Sequence, residues 1–216
     1  MVKTLRISHP ALFGTKLDET IHFYTEILGM EIVLRQPNLD DASMEHLLFH
    51  VGSDNFIAYF LMREDRAGLR YAPAKPGLGG MNHLAIDMDA ASFTEALERL
   101  RAEGIDVRGP IDRGYERSIY FKDPNGVRIE LLVWLTPPPD LTQADIIRRA
   151  QEIRIGRGAA YVEDQDVQAA IRELRAGQRA AQLDDVPPPD VARDEVDEAS
   201  WESFPASDAP GWRDHR

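Results

Sequence analysis

The chain has 216 residues, 43% of them hydrophobic and 29% charged, and no cysteine. That composition suits one good-sized domain with an appendage, and it excludes disulfides, thiolate metal sites and a thiol nucleophile. A net charge of −12 argues against nucleic acid and anionic membranes as partners. No apolar run approaches the roughly 18–20 residues of a membrane helix. The opening MVKTLRISHPALFG lacks the apolar segment of a secretion signal, so residence in the cytoplasm is expected.

Along the chain the first event is a duplication. ISHPALFGTKLDETIHFYTEILGMEIV (7–33) and MNHLAIDMDAASFTEALERLRAEGIDV (81–107) share one organisation. Each opens with a strand-like run holding one histidine, His9 or His83. Each continues with an acidic helix start, Asp18 or Asp89, and an amphipathic helix. Phe23, Ile27 and Leu28 form the stripe of the first helix; Phe93, Ala96, Leu97 and Leu100 form that of the second. Each helix closes at a glycine, Gly29 or Gly104, suited to the left-handed position past a helix end. Strand candidates follow at 30–35, 44–51 and 54–62, then at 105–108, 117–122 and 127–135. Each half therefore reads β-α-β-β-β, with modules at about 5–65 and 80–135 and a Gly- and Pro-rich link at 66–80.

Beyond residue 135 the character changes. TPPPD (136–140) reads as a stiff boundary. A helix is predicted within 141–158, capped by Thr142 with Asp145 in its first turn and ended by Gly156 or Gly158. A second is predicted within 162–177, with Val167, Ala170, Ile171 and Leu174 on one face. Residues 183–216 hold 10 acids and 3 arginines, net −7, and are too polar and Pro-rich to fold alone. The segmentation is thus 1–135, a helical extension 136–182 and an acidic tail 183–216. Trp201, Phe204 and Trp212 would suit a docking peptide, although a disordered tail is the simpler expectation.

In the second half Glu130 interrupts the apolar run Ile129, Leu131, Leu132, Val133, Trp134. An unpaired carboxylate there costs several kcal/mol or gives up its charge. A metal would account for it. His9 and His83 hold equivalent places in the two modules, so pseudo-twofold symmetry is expected to bring them together in a shared concave sheet. With Glu130 they would form a two-histidine, one-carboxylate facial triad. The turn KDPNGV (122–127) makes the flanking strands a hairpin, and counting back from it sets Tyr120 nearly opposite Glu130.

SHPALFGTKLDETIHFYTEILGM, MNHLAIDMD and YFKDPNGVRIEL together resemble the vicinal oxygen chelate superfamily, which includes glyoxalase I, extradiol dioxygenases, methylmalonyl-CoA epimerase, fosfomycin-resistance transferases and bleomycin-resistance proteins. The resemblance covers roughly residues 5–135. It implies an α+β fold of paired βαβββ modules forming a metal-holding cup, extended here by a helical and partly disordered C-terminal region. It also sets His9, His83 and Glu130 at the family's ligand positions and implies a side-by-side homodimer.

The resemblance also bears on the branch. Glyoxalase I and the epimerases carry a further Glu, Gln or His on the last strand of the first module. Here that place, at about 55–58, falls in NFIAYFL, where Asn55 alone is even a weak ligand. Two histidines and one carboxylate suit Fe(II), with a catechol-like diol and O2 as the small-molecule substrates. In extradiol enzymes a tyrosine ten residues before the ligand glutamate binds substrate oxygens, and Tyr120 matches that spacing. Two features depart. The signature histidine ahead of the tyrosine is replaced by a stretch offering Arg113, Tyr115 and Arg117. The acid–base histidine is replaced by Asn55, with His46 and His50 as substitutes; His22, on the first helix, reads as structural. The leading expectation is an Fe(II)-dependent extradiol-type dioxygenase, with Tyr120, His50 and Asn55 as catalytic candidates and Tyr120, Arg113 and Arg117 as substrate-binding candidates. The alternatives are a transferase or lyase using Mn(II) or another divalent metal, with Arg113 and Arg117 facing an anion, and a metal-free ligand-sequestering protein.

Overall fold

The computed structural model describes residues 2–62, 77–135 and 140–184. The Pro-rich boundary, most of the link between modules and the acidic tail with Trp201, Phe204 and Trp212 lie outside these. By contacts the chain divides into two compact units, Met1–Ala170 and Ile171–Arg216, and both modules lie in the first.

The first module runs β1 (Ala11–Gly14), α1 (Leu17–His22, continued to Ile27 by a wider turn), β2 (Glu31–Pro37), β3 (Met44–Gly52) and β4 (Asn55–Met62). The second runs β5 (Leu84–Asp87), α2 (Ala90–Ala102), β6 (Arg108–Asp112), β7 (Glu116–Lys122) and β8 (Arg128–Trp134). The predicted β-α-β-β-β order is present twice. Strand orders are β1-β4-β3-β2 and β5-β8-β7-β6, the same topology in each. Among the described residues the sheets are separate, four strands apiece, and the shared sheet expected from the sequence is not formed. The second strand of the second half starts at Arg108, the end of the predicted 105–108, and runs to Asp112, its ladder beginning with Arg108 against Tyr120.

The helix boundaries follow local chemistry. Asp89 caps α2, its side chain accepting from the amides of Ala91 and Ser92 at 2.9 Å. Asp18 instead sits inside the first turn of α1, which starts at Leu17 with no side-chain cap. Gly29 and Gly104 stand at φ 71° and 70°, the left-handed stop predicted for both. Two helices follow the modules: α3 (Gln143–Gly156), capped by Thr142, and α4 (Asp164–Asp184). Val167 and Ala170 on α4 are fully buried, as its periodicity predicts. Among the described residues no helix is long and apolar enough to cross a membrane.

One core serves both modules. Phe23, Tyr24, Ile27 and Leu28 of the first helical segment and Phe93, Ala96, Leu97 and Leu100 of α2 join one cluster. From the sheets it takes Leu47, Phe49, Ile57, Tyr59, Ile119, Phe121, Ile129 and Leu131. By strand alternation these sheet residues are the helix-facing set, and His46, His50, Phe56, Phe60, Tyr120, Arg128 and Glu130 point the other way.

A polar latch crosses the core. Tyr24 and Tyr59, both with no exposed surface, donate their hydroxyls to Asp123 Oδ2, the Tyr24 bond at 3.2 Å. Asp123 Oδ1 accepts from the amides of Asn125 (3.0 Å) and Val127 (2.8 Å), which shapes the β7–β8 turn. Asn125 in turn accepts from Thr15 N at 3.0 Å and donates to Thr20 Oγ1 at 2.8 Å. Burial raises the Asp123 pKa, against the lowering effect of its four donors. Burial likewise pushes both tyrosines up, with the nearby Asp123 charge adding to the shift.

Candidate functional site

The helix-averted face of the second sheet holds the site. Tyr120 lies directly across from Glu130, as the turn arithmetic predicts, and Arg108 from Tyr120 on the other side; Ala85 of β5 stands beside Glu130. Arg108, Tyr120, Glu130 and Ala85 therefore form one row across four strands. Lys122 and Arg128 face each other in the next row, the one nearest the turn.

Glu130 is 6% exposed and closed in from two sides. The Tyr120 hydroxyl donates to Oε1, and His83 Nε2 lies 2.9 Å from Oε2. The other ring nitrogen of His83 sits 2.9 Å from Asn82 Oδ1, which fixes the ring with Nε2 toward the carboxylate. Arg113 comes in behind. It donates to Ser118 Oγ at 3.4 Å and Glu116 Oε1 at 3.3 Å, and hydrogen bonding with the Tyr120 hydroxyl is the first cause of its raised pKa. Burial raises the Glu116 pKa, opposed by Arg113 and assisted by the charges of Glu130 and Asp87.

His9 is not part of this group. It precedes β1, as His83 precedes β5, so neither lies within the strand expected to carry it. Two backbone bonds, Phe56 N to Ser8 O and Ala58 N to Pro10 O, both 3.0 Å, extend the β1–β4 ladder past it. That register sets His9 beside Phe56 on the helix-averted face of the first sheet. It is exposed, and its Nδ1 lies 3.1 Å from Ser8 Oγ. Both histidines thus have Nδ1 against the polar residue just before them. Among the described residues no three His, Asp or Glu side chains gather as a metal site. The symmetry argument failed within one chain because the modules share their helix-facing sides, and each sheet's other face looks away from that common core.

Other candidates separate as well. Arg117 is on the opposite face of β7 from Tyr120 and pairs with Asp112 at 2.7 Å. His50 Nε2 is 2.6 Å from the Ser53 carbonyl and its ring rests on Phe56; Asn55 donates to the Gly52 carbonyl at 3.4 Å. Both belong to the β3–β4 turn, and none of these contacts reaches Tyr120 or Glu130. His46 stacks on Phe60 at 4.5 Å, and His22 lies 3.8 Å from Glu103. The register also names the counterpart of Glu130. Ala11 pairs with Ala58 as Ala85 pairs with Glu130, so an alanine stands in the first module where the second has its acid. Leu48 and Leu34 likewise stand where Tyr120 and Arg108 do.

What sequence reasoning missed is the cation group Arg108, Lys122 and Arg128 beside Tyr120. Alternation counted outward from the DPNG turn would have found two of them, since Lys122 and Arg128 flank it on Tyr120's face.

A family model described as Glyoxalase/Bleomycin resistance protein/Dioxygenase superfamily matches residues 6–131, and the chain belongs to that superfamily, whose members include dioxygenases and lyases. A 69-residue stretch is 35% identical to biphenyl-2,3-diol 1,2-dioxygenase 2 of Rhodococcus globerulus, covering 32% of this chain and 36% of that protein. The match thus spans about a third of that relative's length. Over 131 residues the chain is 29% identical to a probable lactoylglutathione lyase of Vibrio parahaemolyticus, 59% of this chain and 89% of that one. A glyoxylase/bleomycin resistance protein/dioxygenase domain from Frankia sp. EAN1pec superposes with TM-score 0.51 at 16% identity, over 61% of this chain and 99% of that one, a likeness of fold.

Proposed function

We propose that the protein is an Fe(II)-dependent extradiol-type ring-cleaving dioxygenase acting on a catechol-like aromatic. The observation that carries the reading is Glu130: a carboxylate buried in a sheet, held by His83 and Tyr120, with an acceptor-only function that a cation would use. One chain brings together two of the three expected ligands, so the full set requires His9 of the partner subunit in a homodimer. Isologous pairing would then form two equal sites. The orientation of both histidines supports this, because Nδ1 is occupied in each and Nε2 is the nitrogen left to face a ligand.

Bound there, Fe(II) would supply Lewis acidity and one-electron chemistry with O2. The chain's own residues do the positioning. Tyr120 keeps Glu130 oriented and presents a hydroxyl to a substrate oxygen, while Arg113 is held by Glu116 and Ser118 of the same strand. The first sheet's open face carries His9 together with Phe56 and the stacked His46–Phe60 pair, so the homodimer that supplies His9 would supply an aromatic wall for the substrate ring from that same face. No general base is assigned, because His50 and Asn55 are engaged with their own turn.

A metal-dependent lyase or transferase is the second reading, favoured by the likeness to the probable lactoylglutathione lyase of Vibrio parahaemolyticus over 89% of its length. Against it stands Ala58, where lyases of the resembling family carry a further ligand. Oxygen uptake and the ring-opened product, followed with catechols after anaerobic loading with Fe(II), test the proposal. Stoichiometric iron without oxygen consumption across monocyclic and biaryl catechols would transfer the case to the lyase.

A further inference from the structure

A pocket of about 310 Å³ adjoins the Glu130 row and is lined by Arg108, Lys122, Arg128, Tyr120 and Asp106 among others. Three cations and one acid meet there in a chain whose overall charge is −12. Among the described residues none of the three cations takes part in an ion pair. Arg128 makes only a 3.5 Å contact to Asn82 Oδ1 and rests its guanidinium 5.0 Å from the centre of the Tyr120 ring. The arginines at the opposite end of the same hairpin differ, since Arg113 and Arg117 are paired with Glu116 and Asp112. Like charges held together in a concavity without counter-ions repel, and a bound anion relieves that repulsion.

Position adds a second argument. Lys122 and Arg128 are cross-strand partners in the row next to Tyr120 and Glu130, and Arg108 is the direct cross-strand neighbour of Tyr120. By the same register Leu34, His50 and Phe56 stand in the first module where Arg108, Lys122 and Arg128 stand in the second, so this Lys and Arg trio is particular to the sheet that carries Glu130.

We propose that this pocket binds an oxyanion of the substrate, a carboxylate or a phosphonate or phosphate group. Arg108 and Arg128 act as forked donors and Lys122 as a point charge. The ligand thus has an acidic group on one side of Tyr120 and its reacting atoms on the Glu130 side. This deepens the proposed function by naming an acid-bearing substrate class, and the anion site itself stands apart from the metal chemistry.

The test uses the full chain without metal. Arginine side-chain Nε–H signals are followed by NMR during titration with benzoate, phenylphosphonate and benzyl alcohol. Saturable binding of one anion, absent for the alcohol, is expected. It should weaken roughly tenfold or more in Arg108→Gln and in Lys122→Gln, whose exposed side chains leave folding intact. Preference for benzoate assigns a carboxylate, and preference for phenylphosphonate assigns a phosphonate or phosphate. Equal response to the alcohol, or anion binding indifferent to both substitutions, overturns the proposal. A protein that binds benzoate yet consumes no oxygen with any catechol would refute the dioxygenase reading and leave this site standing.

Discussion

Two buried carboxylates in the second module should respond oppositely to removal. Asp123 is 4% exposed and serves four donors: the hydroxyls of Tyr24 and Tyr59 and the amides of Asn125 and Val127. In Asp123→Leu those groups lose their acceptor, and the two hydroxyls sit where water does not reach. Each orphaned buried group costs about 1–3 kcal/mol, so a loss of at least ~3 kcal/mol follows even with imperfect additivity. For a domain of this size that is a fall in Tm of roughly 10 °C. Glu130 has a similar burial, but its partners differ. The side chain of His83 is 34% exposed and keeps access to solvent. Glu130→Met removes two hydrogen bonds and also several kcal/mol of carboxylate desolvation, and a similarly shaped apolar chain fills the space. The metal-free variant should stay within about 1 kcal/mol of the metal-free parent, or exceed it. Urea midpoints and thermal melts of both variants, recorded without metal, give the comparison. If Glu130→Met falls as far as Asp123→Leu, the glutamate is a structural acid and the functional argument built on it is wrong.

Other outcomes follow from the same geometry. The Asp123 pKa is raised in the folded chain, so its stabilising contribution is complete below the ordinary carboxylate value and is lost as pH rises through the raised one. The stability of the parent relative to Asp123→Asn should therefore decline as pH rises above the ordinary carboxylate value of about 4, and urea midpoints that diverge in the opposite sense would contradict the assigned burial. Tyr120→Phe takes a donor from Glu130 and should weaken metal affinity on the order of tenfold to a hundredfold in a chelator competition, leaving the fold intact. Thr142→Ala removes the cap whose Oγ1 accepts from Asp145 N at 3.1 Å, and should cost about 1 kcal/mol in thermal melts.

The duplication made the fold legible because strong local signals repeated: histidine, acidic start, amphipathic helix, glycine stop. Alternation around the DPNG turn gave the Tyr120–Glu130 pairing, since hairpin register is set locally. What the sequence did not reveal depends on how the modules pack. Symmetry suggested that His9 and His83 would converge, yet symmetry fixes only their equivalence, and the sides the modules share decide whether equivalent faces meet. The shared role of Tyr24 and Tyr59 has no local sequence signal, because their common acceptor Asp123 lies 64 residues from Tyr59 and 99 from Tyr24. The cation pocket escaped notice for a related reason: Arg108 reaches Tyr120 across a strand pair whose register contains a bulge, which alternation alone does not predict.

Metal content in a mixing experiment bears most directly on a centre built from His83, Glu130 and His9 of the partner subunit. His9→Ala and Glu130→Ala chains would each be purified, loaded with Fe(II) and assayed, then unfolded together, refolded in equal amounts and loaded again. Each alone should hold little iron. The mixture should recover about a quarter of the parent's iron per chain, because half the dimers are hybrids and each hybrid keeps one intact site of two. Recovery at that level supports the shared site. A mixture no better than its components, or a His9→Ala chain that holds iron as well as the parent, contradicts it.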